Sequence, residues 1–531
     1  MCAADTWEVD GLTHHRPCGA AVPRSLRASF AGKHAPGMFS DRQKSLAGEG
    51  KSGNTIEIGK IMKLFAFANQ NPEAILARCG AGETLRYGEI GKAEALLARQ
   101  TGRALIFLLC RNTPGTLLTY LGAIKGPAVP LLPDAAAPAE LLKPLAERYR
   151  PAWLALPEDL AAKAAALCPA AEERGRVRDC VLLRTGWEGP ALDEGLKLLL
   201  TTSGSTGSPK LVRLSAKNLD ANALSIAQYL EIDRDERPLA SLPMHYSYGM
   251  SVIHSHVLTG AALLLTSRTV LEREFWRFAE AEGATSFAGV PYTYEMMDRL
   301  RMRELFPDSL RTLTQAGGHL REDLQRRYAG WCRDTGRRFF VMYGQTEASP
   351  RMSYLSPALS LEKCGGIGCA VPGGRLSLID ESGGEITAAG RTGELVYEGD
   401  NVCLGYAQTR EDLLRGDENR GRLYTGDLAW RDAEGCYFLA GRKSRFLKLA
   451  GKRFSLDRLE QLLEERFAIE AVCVGQDERL RVFLGGSAAD AAREYLSAVF
   501  GIPVSRFEIH AVDTIRKTAS GKKQYSAYEQ V

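Results

Sequence analysis

TTSGSTGSPK, Thr201 to Lys210, is the stretch on which the reading of this chain turns. It follows a short apolar run, Leu198 to Leu200, and sets hydroxyls and glycines ahead of one lysine. Gly204 and Gly207 permit close backbone approach and positive φ, so successive amides can point at one anion, while Thr202, Ser203, Ser205 and Thr206 add hydroxyl donors and Lys210 adds a charge. Such a stretch is either a phosphate cradle or a flexible Gly/Ser connector. It is not a Walker A loop, which needs glycine directly before lysine and then Ser or Thr. Here Ser208 and Pro209 separate Gly207 from Lys210, and Leu211 follows, which disfavours a kinase or GTPase.

Around this loop the apolar pattern alternates between short strands and helices. YGEIGKAEALLARQT reads as an amphipathic helix, ALIFLLC (Ala104 to Cys110) as a buried strand, Pro114 to Lys125 as helical and AVPLL as a second strand, which together make a parallel βαβ unit. Further strands are expected near Ala152 to Leu156, Ala262 to Thr266, Thr285 to Ala288, Thr312 to Gln315 and Phe339 to Met342. A helix is expected after Ser215, a suitable N-cap, with Leu219, Ala223, Ile226, Ala227 and Leu230 on one face. From Gly365 short strands and Gly-rich turns predict a β-rich subdomain. A boundary is expected near Gly441, followed by a small α+β unit with a helix over Leu456 to Phe467. The fold class is therefore α/β: a large N-terminal body of α/β layers over 62–441 with a β-rich subdomain, then a small mobile α+β C-terminal lid over 442–531. Residues 1–61 lack periodicity and read as a disordered or upstream extension, or as a targeting peptide, with Met62 opening the first orderly pattern.

At 531 residues the chain exceeds what one core usually supports, so more than one domain is expected. With 68 basic and 64 acidic residues the net charge is +4, too small to imply nucleic acid or an anionic membrane as partner. Twelve cysteines show no CxxC pair and no histidines at zinc spacing, so they read as reduced, buried thiols. No apolar run approaches the ~20 residues that span a bilayer, and the N-terminus has no secretory apolar core, so no stable membrane insertion and a cytoplasmic location are expected.

Six further segments stand in a fixed order: PMHYSYG (243–249), QAGGHL (315–320), YGQTE (343–347), YTGD (424–427), GRKSRFLKLAGKR (441–453) and TASGKK (518–523). With the loop they resemble the acyl-adenylate-forming superfamily, also called AMP-binding enzymes, and are most similar to acyl-CoA synthetases. The similarity runs from about residue 80 to the end. It implies an ATP-dependent, AMP-forming acid–thiol ligase that makes an acyl-AMP from a carboxylic acid and passes the acyl group to CoA. The alternatives are loading of an acyl carrier protein phosphopantetheine, or a catalytically dead nucleotide-binding protein.

The resemblance also implies roles. Thr202 to Gly207 and Lys210 would hold the β and γ phosphates of ATP, Thr346 the α phosphate, and Glu347 a Mg²⁺ ion. Tyr343 would lie against adenine, with Gly318 and His319 along its edge. Asp427 would accept the ribose hydroxyls and Arg442 would reach the ribose or phosphate. Lys522 would bridge the carboxylate and the α phosphate as a point charge on the pentavalent transition state, with Lys523 a solvated neighbour. Lys448 and Gly451 would approach the thiol-transfer site. Tyr246 falls at the position that gates the carboxylate pocket, and His245 is either a second gate or a buried, hydrogen-bonded histidine.

Two positions depart from relatives. Ser247 stands where amino-acid-activating relatives carry an aspartate, so an α-amino acid is disfavoured and an uncharged apolar or aromatic acyl group is expected. Ser444 stands where relatives carry Asp or Lys at the hinge, a residue that can still absorb a large φ/ψ change. The segment GQDERLRVFLGG is shorter than in many relatives. The basic residues Arg442, Lys443, Arg445, Lys448, Lys452 and Arg453 could receive the CoA 3′-phosphate or an acidic carrier helix, or form a solvated face.

Overall fold

The computed structural model describes residues 71–201, 210–449, 452–476, 479–486, 488–500, 507–517 and 523–529. The expectations for residues 1–61 and for the pattern opening at Met62 lie outside them up to residue 70. Among the described residues no helix is long and apolar enough to cross a membrane.

Two large sheets carry the described residues between 71 and 442. In one, eight strands run in the order Gly405–Ala407, Leu211–Ser215, Leu196–Thr201, Val129–Leu132, Leu105–Leu108, Trp153–Pro157, Cys180–Arg184, Glu172–Val177. Leu105 pairs in parallel with Val129, and the helix Pro114–Lys125 makes the crossover between them, as expected. That helix starts where the sequence dictates: Thr113 caps it, accepting from the Thr116 amide, and Pro114 occupies the first turn, where its missing N–H costs nothing.

The other sheet has thirteen strands. Its centre is parallel, with Ile75–Cys79, Leu263–Leu265, Pro238–Ala240, Ser286–Gly289, Thr312–Gln315 and Arg338–Gly344 side by side. Beyond Arg338–Gly344 it turns antiparallel, through Arg351–Leu355, Gly366–Ala370, Tyr437–Arg442, Arg422–Arg431, Gly393–Gly399 and Gly374–Ile379. The β-rich region after Gly365 thus extends the body sheet, and its Leu376, Leu395 and Tyr397 share one core with Leu76 and Ile90. Gly/turn texture in the sequence marks the antiparallel switch but cannot show which sheet the strands join.

Helices Ala216–Leu230 and Ser247–Thr259 cover this sheet, and both contribute to the same core. Ser215 and Asn218 form a reciprocal capping box, Ser215 Oγ accepting from the Asn218 amide and Asn218 Oδ1 from the Ser215 amide. Leu219, Ala223, Ile226, Ala227 and Leu230 are all buried, on the face the spacing predicts. Each fully buried leucine of this kind stabilises the fold by roughly 1.5–3 kcal/mol.

From Phe446 the chain makes a hairpin, Phe446–Leu449 with Lys452–Ser455, the helix Leu456–Phe467 and a three-stranded sheet of Ala471–Gln476, Arg479–Gly485 and Phe507–Val512. Two clusters, one centred on Leu459, Leu463 and Val482 and one on Phe483 and Tyr528, are built only from residues beyond Phe446. This part touches the body through Lys443 Nζ to Glu394 (2.8 Å) and through Lys517 Nζ, 5.5 Å from the Tyr292 ring.

Two charges in this part differ from their sequence reading. Arg445 is not a solvated cation: it ion-pairs with Asp457 and with Glu460 (2.5 Å) and stacks 3.7 Å from the Tyr525 ring. Lys523 is not solvated either, since it pairs with Glu460 at 2.7 Å and Glu464 at 2.8 Å. Burial opposes the charge on Lys523, yet the two carboxylates outweigh it and push its pKa up. These partners lie 12 to 63 residues away in sequence, beyond any local pattern.

Candidate functional site

The strand Arg338–Gly344 delivers the centre of the site. It ends in Tyr343 and Gly344, and the chain turns through a short 3₁₀ segment, Thr346–Ala348, before returning antiparallel as Arg351–Leu355. Gly344 is required there because a Cβ at this position would sit 1.7 Å from the Pro350 carbonyl oxygen of the returning chain. The reversal places Thr346 and Glu347 at the carboxyl edge of a parallel sheet, where α/β folds bind ligands.

Asp427 is the best-connected group. It lies on Arg422–Arg431 directly opposite Arg442 of the neighbouring strand, with Arg442 Nε 3.2 Å from Oδ1. Tyr343 Oη donates to its Oδ2 at 2.5 Å, and Gln345 Nε2 donates to the same oxygen at 3.0 Å while bonding the Thr425 carbonyl at 2.9 Å. Burial pushes the Asp427 carboxyl up from its ordinary value, against the Arg442 charge and the hydrogen bonds from Tyr343 and Gln345, which pull it down. The structure therefore brings Tyr343, Asp427 and Arg442 together as one cluster and adds Gln345, which sequence reading did not single out.

Glu347 faces the other way. Its Oε1 accepts from Tyr406 Oη at 2.7 Å, and its carbonyl accepts from the Cys403 amide at 2.8 Å. Tyr406 sits on Gly405–Ala407, which pairs with Leu211–Ser215 immediately after Lys210, and Lys210 Nζ lies 5.5 Å from the Tyr406 ring centroid. Tyr406 thus joins the end of the glycine-rich loop to the carboxylate. It escaped sequence reading; its one signal is an aromatic residue left exposed on a three-residue strand. Thr202 to Gly207 lie outside the described residues, so the structure gives the loop's two flanking strands, Leu196–Thr201 and Leu211–Ser215, paired antiparallel.

The third wall is the segment 245–247 at the start of the helix Ser247–Thr259. Ser247 is buried and its Oγ lies 3.1 Å from Thr346 Oγ1. Tyr246 leans over the loop that follows Thr312–Gln315, where Gly317 has φ +88° and a Cβ would meet Tyr246 Oη at 2.3 Å. Glycine at 317 is what lets that ring close on the loop. Gly318 and His319 follow, exposed, with the Gly318 carbonyl accepting from Gln315 Nε2 at 2.9 Å. His245 is half-buried; its Nδ1 has no hydrogen bond and stands 3.9 Å from Asp134 Oδ1. Burial pulls the His245 pKa down against the Asp134 charge.

The remaining candidates lie in the C-terminal part. Lys448 is on Phe446–Leu449, its backbone opposite Arg453, and Ser444 is in the short turn Lys443–Arg445. Lys522 and Gly451 lie outside the described residues. The ten described cysteines are free and buried, and burial pushes thiols such as Cys180 up to about 12, which removes them as nucleophiles near neutral pH. Among the described residues no group of three or more His, Cys, Asp or Glu side chains could hold a metal ion.

The chain is 31% identical over 291 residues to the 2-succinylbenzoate–CoA ligase of Bacillus cereus (strain Q1), an alignment covering 54% of this chain and 58% of that one. The enzyme of the same name from Bacillus cytotoxicus is 30% identical over 283 residues, covering 53% and 57%. The chain thus spans a little over half the length of the curated relatives it matches. Among solved structures, ATP-bound MatB from Rhodopseudomonas palustris superposes with a TM-score of 0.73 at 20% identity, covering 88% of this chain and 98% of that one. The O-succinylbenzoate coenzyme A synthetase MenE of Bacillus subtilis, in complex with AMP, gives 0.71 at 21%, covering 87% and 96%. At these identities the superpositions show a shared fold. The family assignment rests on sequence: the AMP-binding enzyme model matches residues 64–407, which hold the glycine-rich loop, the Tyr343–Glu347 turn and Tyr406, and the chain belongs to that family.

Proposed function

We propose that the chain is an ATP-dependent, AMP-forming acid–thiol ligase, with residues 62–441 as the adenylating body and 442–531 as a lid. The observation that carries this is the convergence of three unlike groups on one turn: the hydroxyl pair Thr346–Ser247, the carboxylate Glu347 linked through Tyr406 to the Lys210 end of the loop, and the Tyr343–Asp427–Arg442 cluster. A nucleotide has three matching parts, an α phosphate, a polyphosphate tail and a ribose.

In the first step a carboxylate oxygen attacks the α phosphorus of ATP, the bond to the bridging oxygen breaks, and pyrophosphate leaves with that electron pair. Thr346 donates to the α phosphate, Lys210 and Thr202 to Gly207 hold the β and γ phosphates, and Lys522 offsets charge building on the α phosphate. Asp427 accepts the ribose hydroxyls, Arg442 closes over it, Tyr343 presents its ring to adenine, and Gly318 and His319 form the adenine edge. Glu347 is a single hard oxygen ligand at the phosphate end, a donor set that suits Mg²⁺ held mainly by phosphate oxygens and water. When bound, that ion neutralises phosphate charge. In the second step a thiol adds to the acyl carbonyl of acyl-AMP, AMP departs with the bonding electrons and the thiol proton is lost, giving a thioester. Lys448 belongs to this step, with Ser444 as the hinge that exchanges it for Lys522.

CoA is the proposed acceptor, in keeping with the names of the relatives. Ser247, a neutral hydroxyl buried against Thr346, offers nothing to pair with an ammonium, so the acid is not an α-amino acid. Pyrophosphate release should be measured over aliphatic, aromatic and amino acids, then thioester formation with CoA and an acyl carrier side by side. Release with non-amino acids and thioester with CoA are expected. Release only with α-amino acids would overturn the Ser247 reading, product with the carrier alone would replace CoA by phosphopantetheine, and no release with any acid would leave a nucleotide-binding protein without catalysis.

A further inference from the structure

Arg351 opens the strand that returns from the Thr346–Glu347 turn, and it is 3% exposed. A guanidinium keeps its charge at any accessible pH, so the fold buries a full positive charge. Other buried arginines in this chain are matched: Arg213 pairs with Glu418, and Arg445 with Asp457 and Glu460. Arg351 has no carboxylate partner among the described residues, and its buried Nε has no hydrogen bond. Its neighbours are aromatic. The guanidinium lies 3.9 Å from the centroid of the Tyr248 ring, is placed for a side-chain hydrogen bond to the phenol of Tyr229, and acts by its charge on the phenol of Tyr246. A ring face attracts a cation and a phenol oxygen can accept from one, but neither supplies a countercharge.

The same side chain lines a small cavity of about 30 Å³, between the helices Ala216–Leu230 and Ser247–Thr259 and the central sheet, with Ile226, Val252, Ala288 and Met342 among its walls. The two other charged side chains on the cavity are already matched, Glu236 by Arg311 at 2.8 Å and Arg338 by Glu231 at 2.8 Å. Arg351 is also close to the carboxylate entrance. Ser247, at the head of one cavity helix, touches Thr346, and Tyr246 stands edge-on to Tyr248 with centroids 6.3 Å apart. Arg351 thus sits one ring deeper than the gate.

We propose that Arg351 is the specificity residue for the acyl substrate and receives a second carboxylate at the far end of a short dicarboxylic acid. The proposal rests on the adenylation reading above and replaces the sequence expectation of an uncharged acyl group. The cavity as it stands holds on the order of one or two waters, which favours a compact anionic terminus over a long alkyl chain. The bidentate fit of guanidinium to carboxylate would supply the missing countercharge and an acceptor for Nε together.

The test is pyrophosphate exchange with acids matched in length, butanoate against succinate and hexanoate against adipate, for the wild type, Arg351→Met and Arg351→Lys. The wild type should prefer the diacid in kcat/KM by about 30-fold or more, the lower end of what truncating one partner of a buried charge pair costs. Arg351→Met should lose the preference and accept the monoacid, with ATP affinity unchanged, and Arg351→Lys should retain a weakened preference. Should Arg351→Met fail to fold, the wild type and Arg351→Lys decide. Wild-type preference for monoacids, or an unchanged ratio in the variants, overturns the role of Arg351 and leaves adenylation standing. Absence of exchange with every acid would instead remove the adenylation reading and this proposal with it.

Discussion

The two halves of the cleft handle polar groups in opposite ways. On the side proposed for nucleotide each of the principal described groups has a protein partner: Asp427 has three, Glu347 has Tyr406, and Thr346 has Ser247. On the side proposed for the acyl group Arg351 Nε and His245 Nδ1 are buried without a hydrogen bond. Nucleotide must therefore enter by exchanging bonds, at little net gain per bond, whereas an acid entering the other half meets demand the fold leaves unmet. On the proposed reading the nucleotide half serves correct placement and the acyl half selection.

Lys522, expected where the halves meet, provides the largest effect. Lys522→Ala should slow pyrophosphate release by a factor on the order of 10²–10³ for every acid alike, while transfer from supplied acyl-AMP continues. An effect confined to some acids would move Lys522 into the selecting half. Asp427→Ala should raise the KM for ATP by about 10- to 100-fold and leave the ranking of acids unchanged, since hydrogen bonds to a charged group are worth roughly 1.5–3 kcal/mol. A changed ranking would mean the halves are not separable.

A pH series tests the same carboxyl. Because the folded-state pKa of Asp427 is raised, it protonates at a higher pH than an ordinary carboxylate, so ATP affinity should weaken on acidification before ordinary carboxylates titrate. Arg442→Gln removes a charge that pulls this pKa down, and should move the midpoint further up. The same shift means that folding binds the proton more tightly than the unfolded chain does, so this group's contribution to stability declines as pH rises through the raised value. A midpoint that stays in place in Arg442→Gln would count against the coupling. Smallest is Tyr406→Phe, which frees Glu347 of one bond and should change the Mg²⁺ requirement by about tenfold or less, a measure of how far preorganisation matters on the nucleotide side.

The sequence revealed the skeleton well where physics is local. The Thr113–Pro114 start, the Ser215 cap and the helix Leu456–Phe467 all follow from capping and a 3.6-residue period. That Tyr343, Asp427 and Arg442 belong together could be read from motifs that are short and ordered. What stayed hidden depends on chain segments meeting from afar. Tyr406 reaches Glu347 across 59 positions, Lys523 reaches Glu460 across 63, and Arg351 reads as an ordinary polar residue until the helices and sheet close around it. Charge in a sequence carries no label for burial, and no pattern announces a missing partner.

Asp427 and Arg442 occupy one rung of an antiparallel ladder, and the Arg442 amide donates to Asp457 at the head of the helix Leu456–Phe467. On the proposed reading, ribose contact and lid attachment therefore share a single residue. Any lid orientation that changes how Asp457 holds Arg442 must change nucleotide affinity, and nucleotide must bias the lid by the same factor in return. ATP, acyl-AMP and AMP would then each carry their own lid equilibrium, so the order of the two chemical steps can be kept by thermodynamic reciprocity at one strand end.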